Sequence, residues 1–243
     1  MSRASPKRRI GILGGMGPQA TVLLMQRIID RTSARDDRDH VPMLVDNNTQ
    51  VPSRIAAIIE GTGESPAPVL VEMARRLEAG GAEALAMPCN TAHHYAGEIA
   101  AAVSVPFLDM IDLSVGAVAG RSARRVGILG SPAVRLAGIF DRTFAGAGIA
   151  TLYPGDEAAM LAAIRLVKAG DASGRAAALL RAAAAELHGT GADVLVVACT
   201  EFSVIAGAIA GDCPVVDTLD VLAGAVVAFA SADRGPAPRF GEA

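Results

Sequence analysis

Short apolar runs alternate with longer stretches of helical periodicity along almost the whole chain. Arg9-Ile10-Gly11-Ile12-Leu13 reads as a strand, and Gly14-Gly15-Met16-Gly17 as a turn whose glycines let the backbone come close to a ligand. Pro18 suits a first helical turn, and Val22, Leu23, Met25, Ile28 and Ile29 continue at helical spacing to about Ser33. Val41 to Val45 is a second strand. It ends in Asp46-Asn47-Asn48, at the strand end where open α/β sheets bind ligands. Pro52 and Ser53 start a helix carrying Arg54, and a longer helix runs from the Pro66-Pro68 region to Gly80-Gly81. Ala84-Leu85-Ala86-Met87 is an interior strand stopped by Pro88, with a helix beginning at Asn90 and Thr91. Val105 to Asp109 and then Asp112 to about Gly120 add a strand and a helix.

The pattern then restarts. Arg125-Val126-Gly127-Ile128-Leu129-Gly130-Ser131-Pro132 repeats the form of the first strand and turn, and Val194 to Ala198 followed by Cys199-Thr200-Glu201 repeats the strand before Cys89. The intervals from Gly11 to Cys89 and from Gly127 to Cys199 are nearly equal, which is what an internal duplication leaves. Between them lie a strand near Ile149 to Leu152 and helices from about Asp156 to Lys168 and Ser173 to His188, with stops at Gly170 and Gly189. A last strand spans Pro214 to Asp217, and a last helix follows. The fold class implied is α/β, with two pseudo-symmetric lobes, each a mostly parallel sheet flanked by helices, and the ligand in the cleft between them. The expected division is 1–112 and 113–216, with a helix over 217–230 packing back on the first lobe and a flexible tail over 231–243.

Composition narrows the partners. The chain has 243 residues, half of them hydrophobic, no Trp and a formal net charge of -3 with acids and bases interspersed. It offers neither a basic stripe for phosphates nor the aromatics that stack bases, so nucleic acid is not an expected partner. The apolar run after Lys7-Arg8-Arg9 is too short for a signal peptide or a membrane span. Three cysteines, an odd number, argue against a disulfide framework and for the cytoplasm.

Cys89 and Cys199 stand at equivalent strand-to-helix joints, where free N–H groups and the helix dipole favour thiolate over thiol. If the halves are related by approximate two-fold symmetry, the two sulfurs face each other across the cleft. Such a pair suits inversion of a stereocentre alpha to a carboxylate, one sulfur removing a proton from one face and the other delivering a proton to the opposite face. Donors for the developing charge are available at Gly14 to Gly17, Asn47, Asn48, Asn90, Thr91 and Thr200. Glu201 is placed to tune Cys199. His93 and His94 are neighbours that cannot share a helix face, so one is packed and one solvated, and no metal site is expected; Cys213 is structural.

These motifs resemble the cofactor-independent aspartate/glutamate racemases, and within them the aspartate racemase branch. The resemblance rests on Gly14-Gly15-Met16-Gly17-Pro18 with Ala20-Thr21, Asn47-Asn48 with Gln50 and Pro52, Met87-Pro88-Cys89-Asn90-Thr91-Ala92-His93, Val167-Lys168-Ala169-Gly170 and Cys199-Thr200-Glu201. It implies two α/β lobes, a homodimer, no pyridoxal phosphate or metal, and catalytic Cys89 and Cys199. The substrate it implies is a small acidic amino acid, its side-chain carboxylate held by Arg54 and Lys168 and the rest of it by Met16, Gly17, Asn47, Asn48, Gln50, Asn90, Thr91, Thr200 and Glu201. The chain departs from the family pattern at Ser53, where an aspartate is frequent, at Asp46, where the family has an apolar residue, and at Ala198, where it has glycine. Asp46 is expected to add negative charge near the pocket, and Ser53, in place of an acid, to remove some.

Other readings compete. A cysteine-dependent lyase or cis-trans isomerase of a small diacid would use the two sulfurs unequally. A binding protein without activity would have little use for both. A dinucleotide-binding oxidoreductase fits Gly15-x-Gly17-x-x-Ala20, but Asp46 lies too far downstream to be the ribose ligand, and both cysteine joints go unexplained.

Overall fold

The structure is a computed structural model describing residues 7–171, 174–209 and 211–232. Two four-stranded parallel sheets form its centre. In the first, β1 (Ile10–Gly14), β2 (Met43–Asn47), β3 (Ala84–Ala86) and β4 (Phe107–Leu108) lie in the order β2-β1-β3-β4. In the second, β5 (Arg125–Gly130), β6 (Ala150–Leu152), β7 (Val194–Ala198) and β8 (Val215–Asp217) lie in the order β6-β5-β7-β8. Parallel neighbours need crossover connections, and helices supply them. The α-helices of the chain's described part are α1 (Pro18–Arg31), α2 (Ala67–Ala79), α3 (Ala96–Ala101), α4 (Met110–Ala119), which joins the two sheets, α5 (Pro132–Leu136), α6 (Ile139–Gly146), α7 (Glu157–Lys168), α8 (Arg175–Gly189), α9 (Thr200–Val204) and α10 (Thr218–Ser231), which follows the last strand.

The duplication extends to the packing. A side chain at Gly11 would press on Leu77, Ala82 and Leu85, and one at Gly127 on Leu187, Ala192 and Leu195, the same residue types at the same spacing. Glu83 binds both backbone groups of Arg9, and Asp193 does the same for Arg125. In each sheet the chain reverses its direction of travel between the two central strands. That switch point opens a crevice at their carboxyl ends, and the cysteines follow β3 and β7 there.

Each sheet is covered on both faces. On one side of the first sheet, Leu70, Met73 and Leu77 of α2 pack with Leu85 and Cys89; on the other, Leu24 and Ile28 of α1 pack with Ile10, Ile12 and Leu219, Leu222 and Val226 of α10. In the second sheet Ile164, Leu180 and Phe202 share one core, and Ile128, Phe140 and Phe144 the other. Helix α4 serves both lobes, because Met110 enters the core of the first and Ile111, Val115 and Val118 enter that of the second.

Several element boundaries differ from the sequence expectation. Strand β2 starts two residues later than Val41, because Pro42 has no N–H for the ladder and only its carbonyl is used, by Ile10. Asp46 and Asn47 therefore lie within the strand. Pro106 shortens β4 in the same way, and α4 starts at Met110 because the Asp109 carboxylate accepts from the N–H groups of Ile111 and Asp112. The segment after Cys89 is a 3₁₀ turn, Thr91–Tyr95, before α3 begins. Gly170 is left-handed as a helix stop requires, whereas Gly189 stays helical and Gly191 takes the left-handed turn. The expected helix start at Ser173, and the tail beyond Ala232, lie outside the described residues.

Candidate active site

A cleft of roughly 460 Å³ lies where the carboxyl ends of the two sheets meet. Met16 from the first glycine turn, Ser53, Arg54 and Ile55 from the segment after β2, and Cys89, Asn90 and Thr91 after β3 form one wall. The other wall is Ser131 after β5, Ile164 and Lys168 on α7, and Cys199, Thr200 and Glu201 after β7. Both cysteines thus line one cavity and are buried. Thr91 Oγ1 and Ser131 Oγ, 3.2 Å apart, join the walls through a hydrogen bond.

The surroundings of the two sulfurs differ. Cys199 Sγ donates to Glu201 Oε2 at 3.1 Å, while Glu201 Oε1 pairs with Lys168 Nζ at 3.3 Å. Behind Cys89, His93 Nδ1 lies 2.9 Å from the Cys89 carbonyl oxygen, and the Met110 N–H donates to His93 Nε2. A backbone N–H only donates, so Nε2 must accept and Nδ1 carries the proton of a neutral imidazole. Burial lowers the pKa of His93 to the same effect. His94 is exposed.

Burial opposes the expected thiolate stabilisation by helix N-termini. Burial raises the Cys89 pKa, against the opposing charges of Arg54 and Lys168. Burial also lifts that of Cys199 well above the ordinary range, and the Glu201 charge and its hydrogen bond add to the rise. A 3₁₀ turn and a five-residue helix supply too little dipole to offset the loss of solvation. A reaction that needs one thiolate should therefore speed up as pH rises through the ordinary thiol range near about 8.5. A profile of kcat/KM flat from neutral to alkaline pH would contradict this. Stability moves the other way, because the unfolded chain loses its thiol protons first and gains on the folded one as pH rises.

Arg54 is held tightly. Its Nη1 donates to the carbonyls of Val51 and Pro52 and its Nη2 to that of Met16, while its buried Nε has no hydrogen-bond partner among the described residues. Gly17 lies outside the cavity proper and lines an adjoining groove with Thr49, Ser53, Arg54 and Lys168. Three expected site residues do not reach the cavity. Asn47 is exposed at the end of β2, the Asn48 backbone packs so closely on Gly15 that no side chain fits there, and Asn48 Oδ1 accepts from the Gln50 N–H. Gln50 is exposed and donates to Thr49. They shape the turn beside the cleft instead. Asp46 is 2.7 Å from Arg76 and faces away from the pocket lining, so it adds no free charge there. Cys213 donates to the Ala192 carbonyl at 3.6 Å.

Ser131 and Ile164 line the cavity without having been singled out in the sequence. Ser131 was findable as the partner of Gly15 in the repeated turn, and Ile164 lies one helical turn before Lys168 on the same face.

Duplicated parallel-sheet lobes closing over two thiols, with neighbouring cations, define an isomerase of the amino-acid racemase type. The chain belongs to the Asp/Glu/hydantoin racemase family, whose model matches residues 13–226. It is 32% identical to the aspartate racemase of Picrophilus torridus, with a TM-score of 0.83 over 92% of this chain and 94% of that one. It is 26% identical to the broad specificity amino-acid racemase RacX of Bacillus subtilis (strain 168), over 90% of this chain and 96% of the relative. The glutamate racemase of Francisella tularensis, solved in complex with D-glutamate, shares the fold, with a TM-score of 0.65 at 18% identity over 91% of this chain and 80% of that one. No helix among the described residues is long and apolar enough to cross a membrane.

Proposed function

We propose that the protein racemises aspartate, or the related acidic amino acid glutamate, without pyridoxal phosphate, by proton transfer between Cys89 and Cys199. The observation that carries this reading is that both sulfurs line one cavity, each from the switch point of its own lobe. One thiolate takes the α-proton and the opposite thiol returns one to the other face, so the C–H bond broken and the C–H bond formed lie on opposite sides of the carbon. Arg54 and Lys168 supply the positive charge that an acidic side chain needs, and Thr91, Thr200 and the backbone at Met16 face the carboxylate. The likeness to the aspartate racemase of Picrophilus torridus supports aspartate, and that to the broad specificity racemase RacX supports a wider range of amino acids. The proposal carries with it a division at about residue 112, a homodimer and a cytoplasmic setting.

The test is incubation of L- and D-aspartate with the protein in deuterated water. Each enantiomer should gain deuterium at the α-carbon and converge on the racemic mixture. Exchange confined to glutamate or another amino acid would move the substrate assignment and leave the mechanism standing. Release of ammonia with an unsaturated diacid would favour the lyase reading instead.

A further inference from the structure

Thr218 belongs to none of the motifs that mark the cavity, yet it ties the two cysteine-bearing segments together. It is the first residue of α10 and is fully buried. Its Oγ1 donates to the Val197 carbonyl at 3.0 Å, two residues before Cys199, and lies 3.1 Å from the side-chain amide of Asn90, the residue after Cys89.

The chemistry of these three groups fixes the orientation of the Asn90 amide. A carbonyl oxygen has no proton to give, so the single hydroxyl proton of Thr218 goes to Val197. Thr218 Oγ1 is then left only as an acceptor, and the amide atom facing it must be Nδ2. Asn90 Oδ1 becomes the free fork of a residue that lines the cavity, and it is buried with no hydrogen-bond partner among the described residues. A buried, unpaired acceptor is costly, so a ligand that supplies a proton donor there is favoured. The carboxylate on the walls, Glu201, already receives the Cys199 thiol and pairs with Lys168.

We propose that Thr218 is a specificity-determining positioning residue, locking the Asn90 amide with its oxygen toward the ligand so that the cavity selects an α-ammonium over a group that only accepts. The inference rests on reading this cavity as an amino-acid site. The ligand excluded is the 2-oxo acid of the same carbon skeleton, whose keto oxygen would face Oδ1 acceptor to acceptor. Without the Thr218 hydroxyl the amide is free to turn and to present Nδ2 to that oxygen.

The experiment measures KM for aspartate and the inhibition constant of oxaloacetate on wild type, Thr218→Val and Thr218→Ser. Thr218→Val should shift the ratio of the two constants toward the oxo acid by about tenfold or more, and Thr218→Ser should restore it. Equal weakening of both ligands, or equal ratios in all three proteins, would reduce Thr218 to a structural residue and overturn the proposal. If Thr218→Val does not fold, the amide protons of Asn90 in ¹⁵N-labelled wild type decide the matter. Slow exchange with solvent supports the lock, and rapid exchange overturns it. A wild type that neither exchanges the α-proton of an amino acid nor binds one would bring down the site reading itself. A wild type that racemises while the ratio stays fixed would bring down only the role of Thr218.

Discussion

Cys89→Ala and Cys199→Ala should each lower racemisation of aspartate by at least about a thousandfold, within the range that one proton-transfer group contributes. Inversion needs a proton site on each face of the carbon, and either change leaves one face bare. Both thiols are buried among apolar neighbours, so alanine removes a single sulfur from each site and the fold should survive, as unchanged circular dichroism would show. The two variants should nonetheless be distinguishable. Elimination of chloride from 3-chloroaspartate needs only one base: the α-proton passes to sulfur, the C–Cl bond breaks with its electron pair leaving as chloride, and the enamine formed hydrolyses to oxaloacetate and ammonia. Each alanine variant should retain elimination from one configuration at the α-carbon and lose it from the other. A single variant that still racemises would refute the paired mechanism, and loss from the same configuration in both would mean the sulfurs do not oppose each other.

Arg54→Ala should raise KM for aspartate relative to alanine by between about ten- and a hundredfold, the range for losing hydrogen bonds to a charged group. The guanidinium also gathers the carbonyls of Met16, Val51 and Pro52, so its loss frees the segment that carries one wall of the cleft. Arg54→Lys separates the two roles. An ammonium keeps the charge but lacks the planar fork that spans three carbonyls, so selectivity for acidic substrates should be largely kept while thermal stability falls. If Arg54→Ala weakens acidic and neutral substrates alike, the residue orders the loop and does not read the side chain.

The sequence carried the parts of this site that local chemistry dictates. Apolar runs ending in glycine or cysteine marked the four central strands, and the repeat of Gly11 and its partners at Gly127 foretold two sheets of one design. The late entry of β2 into the ladder follows from the missing N–H of Pro42, a signal present in the sequence that the apolar run from Val41 masks. Asn47, Asn48 and Gln50 stand outside the cavity lining, with Asn48 and Gln50 engaged in the turn after β2. The thiol environment also depends on more than the local sequence. A cysteine before a helix suggests a favourable dipole, but the depth of the cleft decides its ionisation, and depth follows from the meeting of residues far apart in the chain. Thr218 was invisible for that reason too, lying far downstream of the Asn90 it orients.

Helix α10 gives the assembly a late final step. The wall of β1 formed by Ile10 and Ile12 is sealed by Leu219, Leu222 and Val226, residues separated from it by nearly the whole polypeptide. While the protein is being made, the first half therefore leaves the ribosome with an apolar flank uncovered, and its closure must await the emergence of α10. Because that helix begins with the threonine that touches both cysteine-bearing segments, the nascent protein gains its complete core and its finished pocket in a single docking event.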